Sequence, residues 1–278
     1  EKGLPAAVAD PRHALSRVID ILAADGYHPV MAVELEFYLL DQKPDSQGRP
    51  QPALQSNGHR PSAPQVYGVA ELEQLQPFLD DLYAACEVQG IPLRTAISEY
   101  APGQLELTLE HRFDALQAVD EGIRYKRIVK GVANKHGFQA CFMAKPFTEL
   151  AGCGMHMHVS LADADGNNLY ASEDRTGTPL LRHSIGGMMT TLLDSLAIFC
   201  PNANSFRRFQ ANSYAPLALN WGVNNRTVSF RIPGGPAVSR HIEHRICGAD
   251  ANPYLAAAAI LAGIHHGIQQ QIDPGPET

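Results

Sequence analysis

Four glutamates (Glu34, Glu36, Glu99 and Glu106) and a His-x-His pair at His156 and His158 fall in segments where apolar and polar residues alternate. Far downstream, residues 204–245 carry six arginines, Arg207, Arg208, Arg226, Arg231, Arg240 and Arg245, with Glu243 as their single acid and no lysine among them. Carboxylates and imidazoles bind divalent cations, and arginine forks clamp phosphate and carboxylate oxygens in a plane. The chemistry on offer is divalent metal, polyphosphate and an acidic substrate held together.

Glu34 and Glu36 are two residues apart on a strand, which sets their carboxylates about 6 to 7 Å apart on one face. They either ligate neighbouring ions or are ordinary solvated acids. His156 and His158 share that geometry, and Gly152 and Gly154 before them signal close backbone approach. Glu99 and Glu106 flank Pro102, Gly103 and Gln104, a turn that can aim both carboxylates at one point. A ligand set of five carboxylates and one histidine suits Mg²⁺ or Mn²⁺ better than a structural zinc, and two adjacent metals fit it. A solubilising surface would mix acids with the arginines, which the run around Glu243 does not do.

The elements that must position these groups follow from periodicity. Asp10 and Pro11 start a helix whose stripe of Leu15, Val18, Ile19 and Leu22 ends at Gly26. Residues 30–40 alternate, with Met31, Val33, Leu35 and Phe37 opposite Ala32, Glu34, Glu36 and Tyr38. Residues 41–64 read as a long exposed loop of the kind that is often functional, and helices are expected over 70–89 and 114–135. Further strands are expected over 104–110, 138–144, 156–161 and 227–232. Three of them pair a clean apolar face with a polar one: Gln104, Glu106 and Thr108; His156, His158 and Ser160; Thr227, Ser229 and Arg231. The pattern predicts an α+β fold, an antiparallel sheet with an open polar face and helices packed on its apolar face.

Composition narrows the function. The chain has 278 residues, 45% of them hydrophobic, and a formal charge of −7, which argues against a general nucleic-acid binder and makes any anion site local. Five cysteines, widely spaced and without a CxxC pair, fit a reducing cytoplasm better than a disulfide framework. The longest apolar stretch, residues 254–264, is too short to span a bilayer. Glu1 at the start and the proline-rich acidic residues 273–278 read as the ends of a fragment. Plainer roles suit other residues: His265 and His266 complement a helix C-terminal dipole, His183 lies at the surface, and Cys153 packs as a small buried residue. Trp221 either stacks on a ligand or packs.

Taken in order, Glu34-Leu35-Glu36-Phe37, Glu99 with Pro102-Gly103-Gln104 and Glu106, Gly152 with Met155-His156 and His158, Asn224-Asn225-Arg226 with Arg231-Ile232-Pro233, Arg240 with Glu243 and Arg245, and Asn252-Pro253-Tyr254 resemble the glutamine synthetase family over residues 27–268. The segments around Tyr214 and Trp221 look closest to its γ-glutamylpolyamine synthetase branch. The resemblance implies a curved sheet lining a funnel, entered by ATP at one end and glutamate at the other. It implies Glu36, Glu99 and Glu106 on one metal and Glu34, His156 and Glu243 on a second. Arg208 and Arg245 would bind the glutamate carboxylate, with Gly152 beside the amino acid. Arg226 would face the transferring phosphoryl group, and Arg231, His158 and Ser160 would face ATP. Arg226 and Glu243 are the implied catalytic pair. The reaction would be γ-glutamyl phosphate formation followed by attack of an amine.

Three departures from the family pattern refine this. Tyr214 stands where ammonia-specific members carry glutamate, favouring a larger amine, while His241 replaces a nucleotide-site arginine and Ala151 an asparagine. The family's N-terminal β-grasp domain and final helices lie outside the sequence, so the resemblance implies a catalytic-domain fragment, not expected to be active alone, of a homo-oligomer with no membrane partner. Ammonia is the competing nucleophile. A guanidino kinase needs fewer carboxylates, and a non-catalytic structural relative would have lost metal ligands.

Overall fold

A computed structural model describes Ala7 and residues 9–278. In chain order the elements are α1 (Pro11–Ala24), β1 (His28–Asp41), α2 (Val69–Gln74), α3 (Gln76–Val88), β2 (Leu93–Ser98), β3 (Gln104–Leu109), α4 (Ala115–Lys135), β4 (Phe138–Cys141), β5 (Met155–Ala162), α5 (Pro179–Thr191), α6 (Leu196–Phe199), α7 (Ala203–Phe206), β6 (Trp221–Val223), β7 (Phe230–Ile232), a 3₁₀ turn (Ala237–Ser239), β8 (Ile242–His244) and α8 (Pro253–Gln270). One eight-stranded sheet holds the order β2-β3-β1-β5-β8-β7-β6, with β4 also on β1.

β1 is the spine, and its register builds the site. Glu36 lies opposite Glu106 of β3, and Glu34 lies opposite Thr108 on one side and His156 of β5 on the other. His158 faces Glu243 of β8, which in turn faces Arg231 of β7. Directly paired residues share a face, so the polar side chains of five strands form one wall. Met31, Val33, Leu35 and Phe37 point the other way and are fully buried, with Val33 against Gly122 of α4.

The helices cover that apolar face. Asp10 caps α1 by accepting the Arg12 N–H at 3.0 Å, and Leu15 and Leu22 are buried. α5 and α8 cross at glycines: a Cβ on Gly187 would stand 2.1 Å from the Gly263 carbonyl oxygen, so backbones touch where side chains would hold them apart. Asn252 caps α8, accepting from Tyr254 and Leu255 N–H. That helix runs on to Gln270, which places His265 and His266 inside it, and His265 pairs with Asp25 at 2.8 Å.

Several expectations are corrected. The helix expected over 70–89 divides at Leu75, because Pro77 has no N–H for a continuing helix and instead occupies the first turn of α3. The strand expected over 138–144 ends at Cys141, where the edge of β1 passes to the next segment through the Glu36 N–H bond to Gly154 O at 3.1 Å. The strand expected over 227–232 keeps only Phe230–Ile232, since the Asn225 side chain captures the Thr227 N–H and hydroxyl at 2.9 and 2.7 Å. β6 and β7 run parallel, so the sheet is antiparallel except at that edge. The 41–64 loop packs on the end of β1, with Ala53 buried and Arg60 paired to Asp41 at 2.6 Å. Trp221 packs, being 1% exposed with its indole N–H donating to Gly275 O.

Candidate active site

The polar wall opens into a cavity of about 480 Å³ lined by Glu34, Glu36, Glu99, Glu106, His156 and Glu243, with Gly152, Arg208, Arg226, Arg231 and Arg245 beside them. All six residues expected to hold metal meet here. His158 and Ser160 lie further along β5, opposite Ala32 and Val30 and outside this lining. The arginine array divides as well. Arg207 is exposed, and Arg240, carried away by the 3₁₀ turn before it, donates to Ser172 O.

His156 is the hinge of the carboxylate cluster. Its Nδ1 is 2.8 Å from Glu34 and 3.7 Å from Glu243, and its Nε2 is 3.9 Å from Glu36. Two ligand sets result, Glu34 with His156 and Glu243, and Glu36 with Glu106 and His156, each offering atoms within 4.8 Å of one another. Glu36 is fixed by the Gly154 N–H at 2.7 Å. Gln104 reaches it at 3.4 Å and spans to Gly152 O at 2.9 Å.

The glycines are needed for space. A Cβ on Gly152 would sit 2.6 Å from Arg208 Cγ and 2.7 Å from Ala144 O, and one on Gly154 would sit 2.8 Å from His156 Nε2. Buried Arg208 donates to Ile246 O at 2.8 Å. Arg231 donates to Glu243 at 2.7 Å and to Asn224 at 3.0 Å, and Arg245 donates to the other Glu243 oxygen.

The carboxylates differ in proton affinity. Burial pushes Glu99 up, with Glu36 and Glu34 adding to it, to about 7. Glu106, more deeply buried and facing the same neighbours, is driven well above the usual carboxylate range. Burial opposes ionisation of Glu243 too, but Arg245, His156 and His158 overcome it and hold the group down to about 2. Glu34 is likewise carried well below normal, its burial outweighed by hydrogen bonds from His156 and His158. A group of buried acids that repel one another into holding protons is the donor set that a hard divalent cation fits.

Above the carboxylates sits an aromatic rim that periodicity did not find. Tyr100 and Tyr214 pack with ring centroids 4.9 Å apart and hydroxyls at 3.2 Å. The Tyr67 hydroxyl accepts from Arg226 at 2.7 Å. Tyr67 and Tyr214 both adopt left-handed backbone angles, φ 57° and 56°, which a bulky side chain rarely does. Of the three, the family resemblance marks Tyr214, and Tyr100 directly follows Glu99.

Residues 8–278 match the glutamine synthetase, catalytic domain family. A gamma-glutamylputrescine synthetase of Escherichia coli K12 is 42% identical over 273 residues, 98% of this chain and 58% of the relative. A gamma-glutamylethanolamide synthetase of Streptomyces coelicolor is 35% identical over 278 residues, again 98% and 58%. A solved structure of the GmaS/ADP complex aligns with a TM-score of 0.85 at 32% identity, covering 96% of this chain and 61% of that one. The chain thus spans about 58% of the length of these curated relatives.

Proposed function

The chain belongs to the glutamine synthetase family, and from that premise we propose an ATP-dependent ligase that joins glutamate to an amine through γ-glutamyl phosphate. The observation that carries this reading is the sharing of His156 by two ligand sets in a cavity that also presents Arg208, Arg226, Arg231 and Arg245. We read residues 1–278 as the catalytic domain of a longer, cytoplasmic and homo-oligomeric protein whose β-grasp domain lies outside the chain.

Two Mg²⁺ or Mn²⁺ ions, when bound, would offset the charge crowding of one anion attacking another. Glu36, Glu99 and Glu106 would hold one, and Glu34, His156 and Glu243 the other. Arg208 and Arg245 orient the substrate carboxylate, with bare Gly152 leaving room for the amino acid. Arg226 faces the phosphoryl group in flight, a fixed positive charge where negative charge develops. Arg231 reaches the nucleotide phosphates, with His158 and Ser160 on the same side.

The tyrosine rim favours an amine over ammonia. Aromatic faces attract an ammonium and its alkyl chain, and the Tyr100–Tyr214 pair caps the cavity beside Glu99. Closed over bound substrate, the rim would also keep water from the acyl phosphate. The test is phosphate release by the full-length protein with glutamate, ATP and ammonia, putrescine, spermidine or ethanolamine in turn. Turnover with an organic amine above that with ammonia is expected. Turnover with ammonia alone would overturn the amine assignment, and none with any nucleophile would overturn the ligase.

A further inference from the structure

Beyond the carboxylate cluster, on the far side of Glu34, three imidazoles converge. His111, just past the end of β3, His158 of β5 and His241, two residues before Glu243, bring ring nitrogens within 4.8 Å of one another. His158 Nδ1 and His241 Nε2 are 3.0 Å apart. The His111 ring lies 5.8 Å from that of His158 and 5.2 Å from that of His241, centroid to centroid. The ligase reading gives a role to His158 alone, and His241 stands where the resemblance puts a nucleotide-site arginine.

We propose that His111, His158 and His241 form a binding site for a borderline divalent transition ion of the Zn²⁺ type, separate from the carboxylate metal sites. The donor chemistry sets the class: Glu34 meets His158 at Nε2, 3.4 Å away, while His158 Nδ1 faces His241, so the donor set is three imidazoles, which favour Zn²⁺, Ni²⁺ or Cu²⁺ and give Mg²⁺ nothing it prefers. The orientation of His241 is prepared. Its Nδ1 lies 2.7 Å from the Ser239 carbonyl oxygen, which can only accept, so the proton sits on Nδ1 and the Nε2 lone pair points at the cluster. A backbone carbonyl behind a ligating histidine is the usual means of fixing its tautomer.

Distances agree with this assignment. Nitrogens at about 2.0–2.1 Å from a tetrahedral zinc stand about 3.3 Å apart. The His158–His241 pair needs almost no change from 3.0 Å. Closing the cluster from 4.8 Å asks for a shift of at most about 1.5 Å, set by the same zinc geometry. His111, the exposed member of the three, is the ring that would make that shift. Three protein ligands leave the fourth position open to water or a phosphate oxygen, as in zinc sites that exchange their fourth ligand.

The test is equilibrium binding of Zn²⁺ to the full-length protein in excess Mg²⁺, read by competition with a chromophoric chelator. It is run on wild type, His111→Asn and His241→Arg, with thermal melts as the folding control. One tight equivalent in wild type, weakened by at least about 10–100-fold in each variant, is the expected result. Two results overturn the proposal: no tight Zn²⁺ in the wild type, or a tight equivalent that both folded variants retain. Neither depends on turnover, so the ligase can fail while this site stands, and the reverse.

Discussion

Glu106 and Glu243 are the same residue type, both buried in one cavity at 7% and 1% exposure, yet their surroundings are opposite. Glu243 is gripped by Arg231 and Arg245 and stays ionised down to about pH 2. Glu106 is buried among Glu34, Glu36 and Glu99, which drive it to hold its proton. One half of the cavity has balanced its charge from within, and the other is balanced only by protons or an arriving cation. That asymmetry lets identical substitutions probe the two halves with opposite expected signs.

The largest effect should come from Glu243→Gln. Removing the charge leaves Arg231 and Arg245 buried without their partner, a loss of about 3–5 kcal/mol in denaturant unfolding of the metal-free protein. Turnover should fall at least about 10²–10³-fold. Unchanged stability would mean that the arginines find other partners, and the contrast between the halves would disappear.

Glu106→Gln should act the other way. In metal-free protein at pH 8 it removes a carboxylate that is buried among like charges, and a gain of about 1–2 kcal/mol is expected, the usual size of one relieved buried polar penalty. Turnover should still be lost with the ligand. A variant both inactive and more stable marks stability sacrificed for a site. Destabilisation in the same assay would place an unrecognised cation beside Glu106.

The two halves were not equally legible in the sequence. Glu34, Glu36, Glu106, His156 and His158 sit on strands long enough for period-two alternation to reveal their face. Arg231 is put on the polar face by alternation over 227–232, of which only Phe230–Ile232 is strand, whereas Glu243, on a three-residue strand too short for any period, is found by the composition of the arginine run and by family resemblance. Composition could not sort that run, and Arg207 and Arg240 proved to lie off the cavity. α5 has no counterpart among the expected helices; Gly186 and Gly187 lower its helix propensity, yet Gly187 is where the α8 backbone rests. Of the tyrosine rim only Tyr214 is marked, by family resemblance, because Tyr67, Tyr100 and Tyr214 come from three loops joined only by tertiary packing. His111, beyond the last residue of β3, is outside the alternation of that strand.

Metal binding sharpens the comparison further. At Glu99 and Glu106 a cation must displace protons, so Mn²⁺ affinity should fall up to about tenfold per pH unit for each proton displaced as pH drops below 7. Glu34 and Glu243 remain ionised there and impose no such loss. Titration calorimetry at pH 6 in buffers of different ionisation enthalpy should record about one to two protons released per cation at the first set. Proton-free binding at pH 6 would mean those carboxylates are already ionised, removing the basis of the asymmetry.

The smallest effect isolates Glu99, which is partly exposed at the rim beside Tyr100. Its folded pKa of about 7 lies above the ordinary carboxylate value of 4.5, so the folded state holds the proton more tightly than the unfolded chain. That contribution is fully present below about pH 4.5 and is lost as pH rises through about 7. Metal-free protein should therefore lose stability across that interval, and Glu99→Gln should flatten the slope by less than about 1 kcal/mol, since solvent at the rim screens the repulsion. Denaturation midpoints at pH 5 and pH 8 measure it. Should the slope survive the substitution intact, the proton belongs to Glu106 alone, and the uncompensated half of the cavity contracts to a single buried acid.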